Sequence, residues 1–150
     1  MSWGPVGVDE IRAAAELLRT VVNSTPLVHS RYLSELVGGP VYLKCEHLQR
    51  TGSFKIRGAY VRIARLTEAE RARGVVAASA GNHAQGVAFA ASLLGCRATV
   101  FMPEGAPLPK VAATKAYGAE VRFPGPNVDA CLVAAQEYAE EHGAVFIHPF

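Results

Sequence analysis

The chain has 150 residues, half of them hydrophobic and 19% charged, with 15 Lys and Arg against 13 Asp and Glu for a net charge of +2. That balance suits a folded globular chain and excludes disorder, and the scattered basic residues offer no stripe for a nucleic acid. The longest weakly polar run, residues 87–96, is far short of the ~20 apolar residues of a membrane span, and residues 1–10 carry no secretory pattern, so we expect no membrane anchor and a cytoplasmic protein.

In chain order, residues 8–22 read as an amphipathic helix, with Ile11, Leu17, Leu18 and Val21 at helical spacing and Asp9 as N-cap. Ser24-Thr25-Pro26 breaks it. Residues 27–29 and 41–45 read as short strands, with Gly38-Gly39-Pro40 turning into the second. A polar loop, residues 49–53, precedes a helix over 54–66. From Gly74 onward strands and helices alternate: strands over 75–78, 98–102, 120–123 and 145–148, helices over 82–94, 107–117 and 128–141. Gly95, Gly118 and Gly143 close those helices, as the left-handed C-cap conformation favours. Alternation at this spacing means parallel βαβ units, so the fold class is α/β with a parallel sheet. The chain stops just after a strand, where such a sheet ordinarily runs into another helix, and we expect a truncated chain.

Two segments could carry chemistry. Cys45, Cys96 and Cys131 form no CxxC pair and no zinc set with the 5 histidines, and read as reduced thiols. Lysine is scarce: Lys44, Lys55, Lys110 and Lys115 are the only amine side chains. Lys55 sits just inside a helix start, after the loop Thr51-Gly52-Ser53. Helix N-termini disfavour cations, so a lysine there suggests an amine nucleophile, although a surface lysine is the plain alternative. The loop after the 75–78 strand, Ser79-Ala80-Gly81-Asn82-His83, offers a hydroxyl, a close-approach glycine and an amide at a helix start. Such a terminus suits a carboxylate or phosphate, and an ordinary capped turn is its alternative. The absence of GxGxxG leaves a dinucleotide site without support.

Glu46-His47-Leu48-Gln49-Arg50-Thr51-Gly52-Ser53-Phe54-Lys55-Ile56-Arg57-Gly58-Ala59 resembles the cofactor-lysine segment of the threonine dehydratase (threonine ammonia-lyase) family, fold-type II enzymes dependent on pyridoxal 5'-phosphate. Ser79-Ala80-Gly81-Asn82-His83-Ala84-Gln85-Gly86 resembles the asparagine loop of the same family, and Thr25-Pro26-Leu27, Met102-Pro103 and Lys110-Val111 fall at comparable places. The resemblance implies that Lys55 links the cofactor and later acts as base, that Phe54 packs on its ring, and that Asn82 bonds its 3′-oxygen. It implies that Ser79, with the backbone N–H groups of Gly81, Asn82 and His83, holds the substrate carboxylate. It implies a glycine-rich phosphate loop and a partner for the ring nitrogen later in the chain, which no segment here matches. The implied activity is conversion of L-threonine to 2-oxobutanoate and ammonia, with L-serine to pyruvate beside it, in an enzyme that is a homo-oligomer at full length. A serine racemase-like enzyme is the nearest alternative; there the resemblance implies a second acid/base serine next to Ser79, where this chain has Ala80. A non-catalytic truncated fragment is the other.

The resemblance divides the chain into residues 1–72, an incomplete first segment of a large lysine-bearing domain, and residues 73–150, a small α/β domain carrying the asparagine loop. On that division Leu17, Leu18, Val21, Leu33, Leu36 and Ile63 should lack core partners, and the 150 residues alone should be inactive.

Overall fold

The computed structural model describes residues 6–149. Its elements are α1 (Val8–Leu18), β1 (Leu27–His29), α2 (Arg31–Val37), β2 (Tyr42–Lys44), a 3₁₀ turn (Glu46–Leu48), α3 (Lys55–Ala64), α4 (Glu68–Arg73), β3 (Val75–Ala78), α5 (Asn82–Leu93), β4 (Ala98–Phe101), α6 (Leu108–Ala116), β5 (Glu120–Arg122), α7 (Val128–His142) and β6 (Val145–Phe146). A four-stranded parallel sheet runs β5-β4-β3-β6, and β1 and β2 form a separate antiparallel pair.

The sheet explains why β3 and β4 are apolar at nearly every position. Val75 and Ala77 face a core shared with α3, α5 and α6, whereas Val76 and Ala78 face Phe101 and the α7 residues Cys131 and Ala135. A strand covered on both faces has no solvated side and needs no polar alternation. Edge strand β5 is short and mostly exposed, with Glu120 and Arg122 pairing at 2.7 Å. Register is fixed by Val75 opposite Ala98 on one side and opposite Val145 on the other.

The expected elements are present with trimmed ends. The helix expected over 8–22 ends at Leu18 and continues as tight turns, the N–H groups of Val21 and Val22 both bonding the Leu18 carbonyl. Two short helices were not expected. Ser30 caps α2 and Gly38 closes it in the left-handed region at φ 72°. Thr67 and Glu70 form a capping box on α4.

The expected lack of core partners before residue 72 holds for some residues and fails for others. Leu17 and Leu36 are exposed and Leu33 is half-buried, but Leu18, Val21 and Ile63 are buried. The reason is α3, whose Ile56, Ala59 and Ile63 pack into the same core as Val75, Ala84 and Val87. The apolar side chains of Leu27, Tyr32, Val37 and Tyr42 around β1, α2 and β2 stay exposed. Among the described residues no helix is long and apolar enough to cross a membrane.

One ion pair ties the strand pair to α3. Glu46 accepts from Arg57 Nε at 2.8 Å and Nη2 at 2.9 Å, and from the Thr25 hydroxyl at 2.6 Å. The fork of donors from Arg57 lowers the Glu46 carboxyl from 4.5 to about 2, against the upward push of burial. A carboxyl held low in the folded chain stabilises above its unfolded value and loses that contribution as pH falls from about 4.5 towards 2. Arg57 is a third exposed, so solvent screening reduces the effect to about 1–2 kcal/mol. Urea midpoints should therefore fall more steeply between pH 5 and pH 3, as about one carboxylate is lost, in the parent than in Glu46→Gln; parallel curves would remove the pair from the stability of this segment.

Candidate active site

The starts of α3 and α5 meet at Gly86. A Cβ built on Gly86 would stand 3.1 Å from the Lys55 carbonyl carbon and 3.2 Å from both the Lys55 oxygen and the Ile56 nitrogen. The missing side chain lets one helix start lie on the other. Glycine inside a helix costs about 1 kcal/mol against alanine, so its presence in an otherwise alanine-rich α5 is itself a sequence sign of close approach.

Lys55 is the first residue of α3. Its Nζ donates to the Pro149 carbonyl at 2.7 Å and lies 5.3 Å from the centre of the Phe54 ring. Phe54 is 58% exposed, so its ring faces an opening rather than the core. Lys55 and Phe54 line a cavity of about 340 Å³ with Arg57, Arg62, His83 and Pro149. The loop leading to Lys55 is fixed by Gln49, whose buried amide accepts from the Asn23 N–H at 2.8 Å and donates to the Asn23 carbonyl at 2.9 Å.

The 79–83 loop leaves the C-terminal end of β3, where open α/β sheets bind ligands. Ser79 extends the sheet through its N–H to the Phe101 carbonyl at 3.0 Å. Its hydroxyl accepts from the Gly81 N–H at 3.1 Å and still has its own O–H to donate. Gly81 therefore turns the loop with its N–H directed at Ser79, and the first-turn N–H groups of Asn82 and His83, which have no acceptor within the helix, point outward from α5. Ala80 is half-buried between them.

The Asn82 side chain is exposed, and its Oδ1 accepts from Lys110 Nζ at 2.8 Å. An ammonium only donates, so the oxygen faces Lys110 and the two Nδ2 protons face away. His83 turns inward. Its ring is 6% exposed and its Nε2 donates to the Ile147 carbonyl at 2.9 Å. Burial holds its pKa below the ordinary value of 6.5, the bond to Ile147 opposes that, and repulsion from the nearby Lys55 and His148 adds to it. A carbonyl only accepts, so Nε2 carries a proton, and burial favours the neutral form of the ring.

The structure thus brings Lys55, Phe54 and His83 to one cavity and hangs Ser79, Gly81 and Asn82 on the loop beside it. Two buried polar atoms of these segments, Thr51 Oγ1 and Gln85 Nε2, have no partner among the described residues. Sequence reasoning took His83 for its backbone N–H and missed its buried side chain. It also missed the contact of Lys110 with Asn82, 28 positions apart, for which no local signal exists.

Comparison with known proteins bears on this geometry. The family model described as "Pyridoxal-phosphate dependent enzyme" matches residues 18–150. An L-threonine ammonia-lyase of Thermotoga maritima is 54% identical over 97% of this chain and 36% of its own length. The processed form of threonine deaminase isoform 2 from Solanum lycopersicum superposes with a TM-score of 0.83 at 36% identity, over 99% of this chain and 42% of that one. Serine racemase from Dictyostelium discoideum superposes with a TM-score of 0.86 at 36% identity, over 97% of this chain and 47% of that one. The chain therefore spans less than half the length of these relatives.

Proposed function

The chain belongs to the pyridoxal-phosphate-dependent enzyme family, and on that footing we propose that it is the lysine-bearing part of a threonine ammonia-lyase, converting L-threonine to 2-oxobutanoate and ammonia and L-serine to pyruvate. The observation that carries the reading is the contact at Gly86, which sets the Lys55 amine and an anion-accepting loop at adjoining helix starts. The names of the relatives support the substrate.

Pyridoxal phosphate asks for an amine to meet its aldehyde, a flat apolar contact for its ring and a donor for its phenolic oxygen. Lys55, the exposed Phe54 ring and the outward Nδ2 of Asn82 are groups of those kinds, so the residues present fit the aldehyde, ring face and phenolic oxygen of the cofactor. When bound, the cofactor supplies the electron sink that makes the α-proton of an amino acid removable. Lys55 Nζ would hold the cofactor through its aldehyde and would take the substrate α-proton as general base. The Ser79 hydroxyl and the N–H groups of Asn82 and His83 bind the substrate carboxylate at the positive end of α5, while Gly81 shapes the turn. Holding the carboxylate there would fix the orientation of the bonds at the substrate α-carbon, and so which of them breaks. The elimination removes the β-hydroxyl as water, and hydrolysis then takes up water and releases ammonia. A cytoplasmic location, a homo-oligomer at full length and a division at residue 72 belong to the same proposal.

The likeness to serine racemase makes racemisation the second reading. Racemisation needs an acid on the face opposite Lys55, and Ala80 has no proton to give. The full-length protein, loaded with cofactor and given L-threonine, should form 2-oxobutanoate and ammonia in equal amounts; given L-serine it should form pyruvate and very little D-serine. Ala80→Ser should raise the D-serine yield measurably. Abundant D-serine from the parent, or no keto acid from either substrate, would refute the assignment.

A further inference from the structure

Asn82 presents an amide with two chemically opposite ends at the start of α5. Oxygen and nitrogen are nearly the same size, so packing alone does not decide which end faces the site. Lys110 decides it. Its Nζ donates to Oδ1 at 2.8 Å, and a donor-only group fixes the oxygen on its own side. Lys110 is in turn held at the start of α6. Its N–H bonds the Pro107 carbonyl at 2.8 Å, and its carbonyl accepts at 2.8 Å from the hydroxyl of the fully buried Thr114. A cation in the first turn of a helix is electrostatically disfavoured, which is a reason to look for a use of this one.

We propose that Lys110 is a positioning residue that locks the Asn82 amide with its donor end toward the phenolic oxygen of pyridoxal phosphate. The inference rests on the reading of Asn82 given above. Without Lys110 the amide turns over, and in half its orientations it sets a carbonyl oxygen against an oxygen that carries negative charge.

The test uses the full-length protein titrated with pyridoxal phosphate, with two readouts: the dissociation constant of the cofactor and the pH at which its visible absorption band changes. Lys110→Met should weaken binding about fivefold, the size of one hydrogen bond, and shift the pH at which the band changes. Lys110→Arg, which also donates to Oδ1, should restore most of both. In an Asn82→Ala background Lys110→Met should add nothing, because its effect runs through that amide. Lys115→Met removes the same charge from the exposed side of α6 and should leave both readouts at parent values. Unchanged readouts in Lys110→Met, an equal loss in the Asn82→Ala background, or an equal loss in Lys115→Met would each overturn the role of Lys110 while leaving the proposed site standing. A parent chain that takes no cofactor on Lys55 would overturn both.

Discussion

In the full-length protein, replacing Lys55 by alanine is expected to abolish covalent capture of pyridoxal phosphate and to cut the proposed ammonia release from threonine by at least about 10³-fold, since a positioned base alone is worth about 10²–10⁴. The other amines are placed elsewhere. Lys44 Nζ donates to the Thr25 carbonyl at 2.6 Å beneath the strand pair, Lys110 holds Asn82, and Lys115 is exposed on α6. Lys55 is the lysine that lines the cavity with Phe54 and His83. Borohydride reduction of the cofactor-treated full-length parent, followed by peptide mapping, should place the pyridoxyl group on Lys55, and Lys55→Ala should give no labelled peptide. A label on Lys44, Lys110 or Lys115 in the parent would remove Lys55 from the role. Lys55→Ala should keep its helical signal, because the residue contributes an amine at a helix start and no core volume.

The parts of this molecule that were legible in the sequence are those whose burial is two-sided or whose ends are capped by residue type. β3 and β4 announce themselves as short apolar runs because both faces are covered. The later helices end at glycines that do adopt left-handed φ, 62° at Gly95, 88° at Gly118 and 64° at Gly143. Helices α2 and α4 were not legible. Neither buries a residue, and at 7 and 6 residues they are too short for an apolar stripe to declare itself, although Thr67 and Glu70 carried the capping-box spacing. The candidate site divides in the same way. Lys55 and the 79–83 loop are local patterns at helix starts. The pairing of Glu46 with Arg57, the inward turn of His83 to Ile147 and the grip of Lys110 on Asn82 join segments that only the fold brings together. Periodicity reports which face of an element is buried, and it is silent about which buried faces meet.

Gly86 shows how such a meeting is enforced, and Gly86→Val should be strongly destabilising. Alanine at this position would gain about 0.8–1 kcal/mol of helix propensity. Its Cβ, however, would press at 3.1–3.2 Å on three backbone atoms of Lys55 and Ile56. Backbone cannot swing aside as a flexible side chain can, and Ile56 is fully buried, so α3 has little room to retreat. Overpacking of this kind costs about 1–3 kcal/mol, which places Gly86→Ala between neutral and about 2 kcal/mol destabilised. Valine forfeits most of the propensity gain and adds two methyl groups to the same contact, so about 3 kcal/mol is expected. For a chain of this size that is a fall of about 10 °C in the melting midpoint. The functional effect should exceed the stability effect. Whatever separation the helices take up moves the Lys55 amine away from the 79–83 loop, and a displacement near ~1 Å costs about 10²-fold in a positioned reaction. Gly86→Val held well below its melting range should therefore show slowed borohydride-trappable capture on Lys55 as well as the lowered midpoint. A valine variant that melts and captures cofactor like the parent would mean that α3 and α5 do not need this contact, and would remove the juxtaposition on which the proposed function rests.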